Sequence, residues 1–434
     1  MTAAQLITLA VLVAAVGALI LDKVRADIVA LTGAATLLVT GAVRPSEVEG
    51  AFGSPAIIAL GSLFVIAYAL ELSGLLDQLI RWAVALCKRI GTIGLWLLMI
   101  LCGGASAFLN NTPIVVLGAP VVRDVAQSLG RSPRRYLIPL SYLAVLGGCL
   151  TLIGTSTNLL VSDMARVAGQ PRFGLFEITP VGLAVALSGA VFLLLFSGKL
   201  IGKDAPETEQ RDLGRHDPDM STGQIGSPEV FAEHNPLNKI KALTALAVFA
   251  AVIAFAAFDI IPIAAAAFAG AVSLILLRVI SADEAYRGLR PEILMLIVGM
   301  VVLGIALEVN GLARIATEGL IGTMDGLSPL LALIILYGAT LLLTELLSNA
   351  TVAVLVTPIA VALAESLAVS PRPFLVAVMM AGSAAFATPF GYQTNVIVYQ
   401  MGGYSYLDFV KVGLPLNIIT MIAAIVAIQA FFPF

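Results

Sequence analysis

The chain has 434 residues, 59% hydrophobic and 12% charged, with a mean hydropathy of +1.02. Soluble domains run at roughly 45–50% apolar and about 25% charged, so a chain with half that charge has lipid as its solvent. A net charge of −3 gives no footprint for a nucleic-acid partner.

A membrane-crossing helix needs about 20 mostly apolar residues. In chain order, spans are predicted at 4–20, 26–43 and 55–72. The first lacks a basic flank and reads as a retained helix rather than a cleaved signal. Region 92–122 is apolar but interrupted by Asn110-Asn111-Thr112. An exposed break in hydrocarbon leaves backbone groups unpaired at several kcal/mol each, so such breaks sit inside protein or face a water-filled cavity. A re-entrant hairpin is therefore predicted over 92–122. Spans follow at 135–165, interrupted at Gly154 to Asn158, and at 176–198.

Next comes a charged linker, 199–238. The slightly wider segment 199–241 holds 14 of the 51 Asp, Glu, Lys and Arg residues, and the linker also contains both histidines, His216 and His234. High charge with few large apolar residues predicts a solvated tract. The membrane part contains no histidine, which excludes a histidine relay or metal site there. Beyond the linker, spans are predicted at 239–257, 260–280 and 290–311. A second hairpin is predicted at 328–366, broken at Ser348-Asn349. A span at 372–402, broken at Gly391 to Asn395, and one at 412–432 complete the chain. Cys87, Cys102 and Cys149 lie in apolar stretches and read as packed thiols.

The halves repeat. Ala69-Leu70-Glu71-Leu72-Ser73-Gly74-Leu75 matches Ala306-Leu307-Glu308-Val309-Asn310-Gly311-Leu312 at an offset of 237. Ser132-Pro133-Arg134 matches Ser370-Pro371-Arg372, Asn111 matches Asn349 and Pro120 matches Pro358, all at 238. Gly154-Thr155-Ser156-Thr157-Asn158 matches Gly391-Tyr392-Gln393-Thr394-Asn395 at 237. Basic residues crowd the first hairpin (Arg81, Lys88, Arg89, Arg123, Arg131, Arg134, Arg135), whereas only Arg314 and Arg372 flank the second. The positive-inside rule then opens the first hairpin to the cytoplasm and the second to the outside. The predicted fold is an all-α polytopic membrane protein of two inverted repeats, 1–198 and 239–434, each with about five transmembrane helices and one re-entrant hairpin. The linker is placed in the cytoplasm.

Inverted-repeat transporters bind substrate near the midplane, where helices are broken. A helix restarting after a break presents free N–H groups and a positive dipole end, which suits an anion. Carbonyls at the end of the preceding half-helix suit a cation. None of the four breaks contains Lys or Arg. A bound dianion would thus be neutralised by co-bound cations and N–H dipoles, which is the physical argument for cation coupling. Glu71 and Glu308 end corresponding helices. Glu345 lies deeper and reads as a structural partner rather than a proton carrier.

These motifs make the chain resemble the divalent anion–sodium symporters, within the ion-transporter superfamily of elevator-type carriers. The resemblance covers nearly the whole chain outside the linker. It implies substrate contacts from Asn110, Asn111, Thr112, Thr155, Ser156, Ser348, Asn349, Thr351, Tyr392, Gln393 and Thr394. One sodium site would use Ser106, Asn110, Asn111 and Gly154; the other would use Thr344, Ser348, Asn349 and Gly391. The family's tips carry Ser-Asn-Thr, whereas here Asn110 replaces the first serine and Ala350 the second threonine. The Pro-Pro pairs of the dicarboxylate carriers are replaced by Ser156-Thr157 and Gln393-Thr394. Extra hydroxyl and amide groups suit a compact tetrahedral oxyanion, as in the branch associated with sulfate.

The resemblance implies sodium-coupled symport of an inorganic divalent anion, most simply sulfate, by a homodimer in the plasma (inner) membrane. No cofactor is implied beyond the coupling ions, nor a regulatory domain in so short a linker. Dicarboxylate symport, arsenite efflux and sodium–proton exchange are the alternatives on the same frame. An intramembrane enzyme has no parts here: H-E-x-x-H, G-x-S-x-G and a membrane histidine are all lacking.

Overall fold

The computed structural model describes residues 2–21, 24–75, 78, 90–201, 237–258, 260–312, 315, 328–389 and 391–434. Most of the linker, with His216 and His234, lies outside these residues. So do Cys87, Arg81, Lys88, Arg89 and Arg314.

The first half supplies α1 (Ala3–Leu21), α2 (Ala26–Val39), α3 (Pro45–Phe52) and α4 (Pro55–Leu72). The hairpin arms follow as α5 (Thr92–Ser106) and α6 (Asn111–Ser128), then α7 (Arg134–Gly148), α8 (Ser156–Val167) and α9 (Thr179–Phe192). The second half supplies α10 (Lys239–Ala257), α11 (Ile263–Leu276), α12 (Ala282–Gly288) and α13 (Pro291–Val309). Its hairpin arms are α14 (Pro329–Leu346) and α15 (Asn349–Ser366), followed by α16 (Arg372–Ser383), α17 (Gln393–Gly402) and α18 (Tyr406–Phe431). Among the described residues there is no strand. Five segments are long and apolar enough to cross a membrane unaided, six when α12 and α13, bent by 57°, count as one.

Two short helices, α3 and α12, are not anticipated by hydropathy, being eight and seven residues long and half polar. Capping chemistry starts both. Glu47 Oε2 accepts from the Arg44 N–H at 2.7 Å, and Glu284 Oε2 accepts from the Ser281 N–H at 2.7 Å, so a glutamate at the third helical position closes each first turn. Each then delivers the chain into a proline-started span, α4 or α13.

Packing repeats between the halves. α2 lies along α13 as α11 lies along α4; α5 and α6 embrace α7 as α14 and α15 embrace α16. The restarted helices are exchanged: α8 packs on α15 and α16, and α17 packs on α6 and α7. Ser73 and Asn310, one repeat apart, do matching work. The Ser73 carbonyl accepts from the Asn238 N–H at the start of α10, and the Asn310 carbonyl accepts from Gln5 Nε2 at the start of α1.

Burial separates the helices into inner and outer. α7 is buried from Tyr136 to Gly148, and α16 from Pro373 to Ser383. A helix apolar on all sides belongs inside a bundle. α10 is the opposite, with Leu243, Leu246 and Phe255 exposed on the outside, a face for lipid or another subunit. Between helices in lipid there is no hydrophobic drive, so close van der Waals approach must hold the bundle together. Glycine permits it: a Cβ on Gly147 would overlap the carbonyl oxygen of Gly103, and one on Gly413 would overlap that of Phe386.

Candidate functional site

Four helix N-termini begin at the interruptions. α6 starts behind Asn110, whose Oδ1 accepts from the Thr112 N–H at 3.1 Å. α8 starts behind Thr155, whose Oγ1 accepts from the Thr157 N–H at 3.4 Å. α15 starts behind Ser348, whose Oγ accepts from the Thr351 N–H at 3.2 Å. α17 starts behind Tyr392, which offers no side-chain cap. Short polar side chains thus close three first turns where lipid could not, while α17 keeps its terminal N–H groups open to a ligand.

The first tip and the second break meet. Asn111 Nδ2 donates to the Tyr392 hydroxyl at 2.8 Å, and Thr112 Oγ1 lies 3.2 Å from Gln393 Oε1. Beside this junction is a cavity of about 40 Å³, lined by Asn110, Gly154, Thr155, Ser156 and Tyr392 and closed by Leu60, Leu63, Phe64 and Phe108. That volume is room for about three waters or a compact ion, at roughly 10–15 Å³ per water. Polar donors form one wall and the apolar face of α4 the other. The hydrogen bonds of the second tip run within its own hairpin: Ser348 Oγ lies 2.7 Å from Thr351 Oγ1, and Thr344 Oγ1 donates toward Asn349 Oδ1 at 2.8 Å. Ser348, Asn349 and Thr351 do not line this cavity. Thr394 is buried behind it, where its hydroxyl accepts from Ser141 Oγ at 2.8 Å.

Oxygen atoms cluster at both breaks. At the first, Ser106 Oγ donates to Asn111 Oδ1, and Thr151 Oγ1 to the Ala107 carbonyl. A Cβ on Gly148 would lie 2.9 Å from Asn111 Oδ1 and 3.2 Å from the Gly154 carbonyl oxygen. A Cβ on Gly154 would lie 2.5 Å from the Gly148 carbonyl oxygen and 2.9 Å from that of Ala107. The glycines leave a nest lined by hydroxyl, amide and carbonyl oxygens, the donor set a hard monovalent cation takes. At the second break, Thr344 Oγ1 also donates toward the Gly382 carbonyl at 2.8 Å, and Thr388 Oγ1 toward that of Glu345 at 3.3 Å.

The two breaks are held open by the same bonds. Asn158 Nδ2 donates to the carbonyls of Gly148 and Thr151, and Asn395 Nδ2 to those of Ala385 and Thr388. The Gly154 N–H donates to Thr151 Oγ1 at 3.1 Å, the Gly391 N–H to Thr388 Oγ1 at 3.0 Å. Every pair is related by 237 residues. Thr151 and Thr388 are absent from the sequence-predicted set. They stand three residues before the motif glycines, and extending the repeat upstream would have found them.

The family profile of citrate transporters matches residues 16–369 and 346–433, nearly the whole length. The chain belongs to the citrate transporter family. That places it among the divalent anion–sodium symporters its motifs resemble, as a transporter and not an enzyme, in a multi-pass integral membrane setting. It is 26% identical to the uncharacterized transporter sll0640 of Synechocystis, over 96% of this chain and 95% of that one. That alignment runs over 587 positions, more than this chain contains, so the relative carries inserted segments that this family member lacks. It is 33% identical to the sodium/sulfate cotransporter 1 of Chlamydomonas reinhardtii, over 37% of this chain and 19% of that one. With the sodium-dependent dicarboxylate transporter SdcS of Staphylococcus saprophyticus it shares 24% identity over 90% of this chain and 79% of that one. Among solved structures, MtrF of Neisseria gonorrhoeae superposes with a TM-score of 0.58 at 15% identity, covering 88% of this chain and 82% of that one. This likeness is one of fold.

Proposed function

We propose that the chain is a sodium-coupled symporter of a divalent oxyanion, with sulfate as its substrate. The carrying observation is the pairing of an anion-type wall, built from helix N-termini with hydroxyl and amide groups, with two oxygen-rich nests directly behind it. In low dielectric a dianion held without Lys or Arg needs cations close by, and the nests put them there. The relatives named as sodium/sulfate and sodium-dependent dicarboxylate transporters support the coupling ion.

On this reading Asn110, Asn111, Thr112, Thr155, Ser156, Tyr392 and Gln393 face the anion, with Ser348, Asn349 and Thr351 joining when hairpin two approaches. Sodium is held by Ser106, Asn110, Asn111 and Gly154 in one nest and by Thr344, Ser348, Asn349 and Gly391 in the other. The repeats at 1–198 and 239–434 are inverted, with the linker cytoplasmic. Hairpins and broken helices move as one body against a scaffold of α1, α2, α4, α10, α11 and α13, and the exposed face of the scaffold pairs two copies.

The test is radiolabelled sulfate uptake into proteoliposomes, with and without an inward sodium gradient, with thiosulfate and succinate as competitors. Sodium-dependent uptake blocked by thiosulfate and not by succinate is the expected result. Block by succinate alone would transfer the assignment to dicarboxylates.

A further inference from the structure

At the first break two main-chain carbonyl oxygens, of Gly148 and Ala107, face Gly154. At the second, the atoms facing Gly391 are different: a Cβ there would lie 2.9 Å from Thr388 Oγ1 and 3.2 Å from Glu345 Oε2. Glu345 stands one repeat after Ala107, so a carboxylate oxygen occupies the side of the second nest where the first has only a carbonyl.

The two oxygens of that carboxylate have different environments. Oε1 accepts from the Ala387 N–H at 2.7 Å and from Asn417 Nδ2 at 2.8 Å, tying the break to α18. Oε2 is shielded from solvent and without a hydrogen-bond partner, as is Asn417 Oδ1. Among the described residues the ion pairs join Arg25 to Asp27, Arg134 to Asp408, Arg166 to Asp163 and Arg372 to Glu177; none reaches Glu345. A half-satisfied buried carboxylate with no cationic side chain beside it is strongly unfavourable unless something positive shares its site. The atoms around it are oxygens, which is the environment of a hard cation rather than of a second side chain.

We propose that Glu345 supplies an anionic ligand to the second cation site, so that this site takes sodium before the anion binds, while the first, whose ligands are all neutral, fills only together with the anion. The inference rests on the cation-coupled reading above. It gives the symporter an order of loading: sodium at the second break, then anion and sodium at the first. The two nests thereby differ in function although their hydrogen bonds repeat.

The experiment follows the thermal unfolding midpoint of the purified full chain as sodium chloride replaces choline chloride, without sulfate. Wild type should show a saturable rise. Glu345→Gln keeps the oxygen that accepts from Ala387 and Asn417 and removes only the charge, so its half-saturating sodium should rise at least tenfold. Glu345→Asp, which keeps the charge one methylene back, should shift less; it carries the test should the glutamine variant not fold. Ser106→Ala should leave the anion-free rise unchanged and lose the further rise that sulfate adds. A wild-type sodium response in Glu345→Gln would overturn the proposal. So would a wild-type response that requires sulfate, or one that follows pH instead of sodium and vanishes in Glu345→Gln. Sulfate uptake by wild type is measured in parallel. Sodium-independent uptake would remove the symport reading itself, whereas sodium-dependent uptake with an unaltered Glu345→Gln response would remove only this inference.

Discussion

The first and second breaks are built on one plan and finished differently. Both use an asparagine to bind two carbonyls across the interruption and a threonine to hold the glycine N–H, 237 residues apart. Yet the first is walled by main-chain carbonyls, and the second by the side chains of Ala385, Thr388 and Glu345. The lesson is that a repeat preserves the bonds needed to break a helix in lipid, because an unpaired amide there costs several kcal/mol, and leaves the remaining atoms free to diverge.

The largest expected contrast comes from filling each nest. A Cβ on Gly154 presses on a backbone carbonyl that cannot yield, whereas one on Gly391 meets side chains that can turn. Gly154→Ala should abolish uptake, by more than 100-fold, and Gly391→Ala should raise the half-saturating sodium about tenfold with uptake retained. Overpacking at roughly 1–3 kcal/mol sets that scale. Equal effects in a sodium titration of uptake would erase the distinction between rigid and yielding walls.

Next is the support behind each break. Gly182 of α9 meets the carbonyl of Cys149, and Gly413 of α18 meets that of Phe386, corresponding first residues of the two interruptions. Gly182→Ala and Gly413→Ala should each lower stability by about 1–3 kcal/mol, seen as a drop in unfolding temperature and in monodisperse yield. An unchanged midpoint for either would show that its helix does not brace the break.

Smaller effects belong to the junction. Tyr392→Phe removes the hydroxyl that accepts from Asn111 Nδ2, a bond worth about 0.5–1.5 kcal/mol, so the KM for sulfate should rise roughly 2–10-fold with kcat held. Smallest is Ser54→Ala. Ser54 Oγ donates to the buried Asp163 Oδ2 at 2.8 Å, joining the start of α4 to α8. Its loss should change the uptake rate about 2–5-fold and leave KM alone, on the scale of one hydrogen bond of about 1 kcal/mol. A change confined to KM would place Ser54 in the anion site instead of between the two bodies.

Much of this fold was legible in the chain. The span predicted at 239–257 coincides with α10, and the tips fall at Asn110–Asn111 and Ser348–Asn349, because lipid imposes length and punishes every interruption. α3 and α12 were not legible to hydropathy, being too short and polar, though Glu47 and Glu284 share the repeat offset. The junction of Asn111 with Tyr392 and Thr112 with Gln393 was hidden as well. The repeat pairs residues with their counterparts, whereas the exchange of α8 and α17 pairs them across the halves. Glu345 was visible as an acid beside the second tip. Which of its oxygens lacks a partner is a property of three dimensions.

The decisive measurement is sodium-driven sulfate uptake by Asn111→Ala and Asn349→Ala, each reconstituted after size-exclusion confirms a wild-type profile. If the two tips complete one site, each substitution alone reduces uptake to the level of empty liposomes. Uptake surviving in both, at rates near wild type, would contradict the placement of anion and sodium at the broken helices.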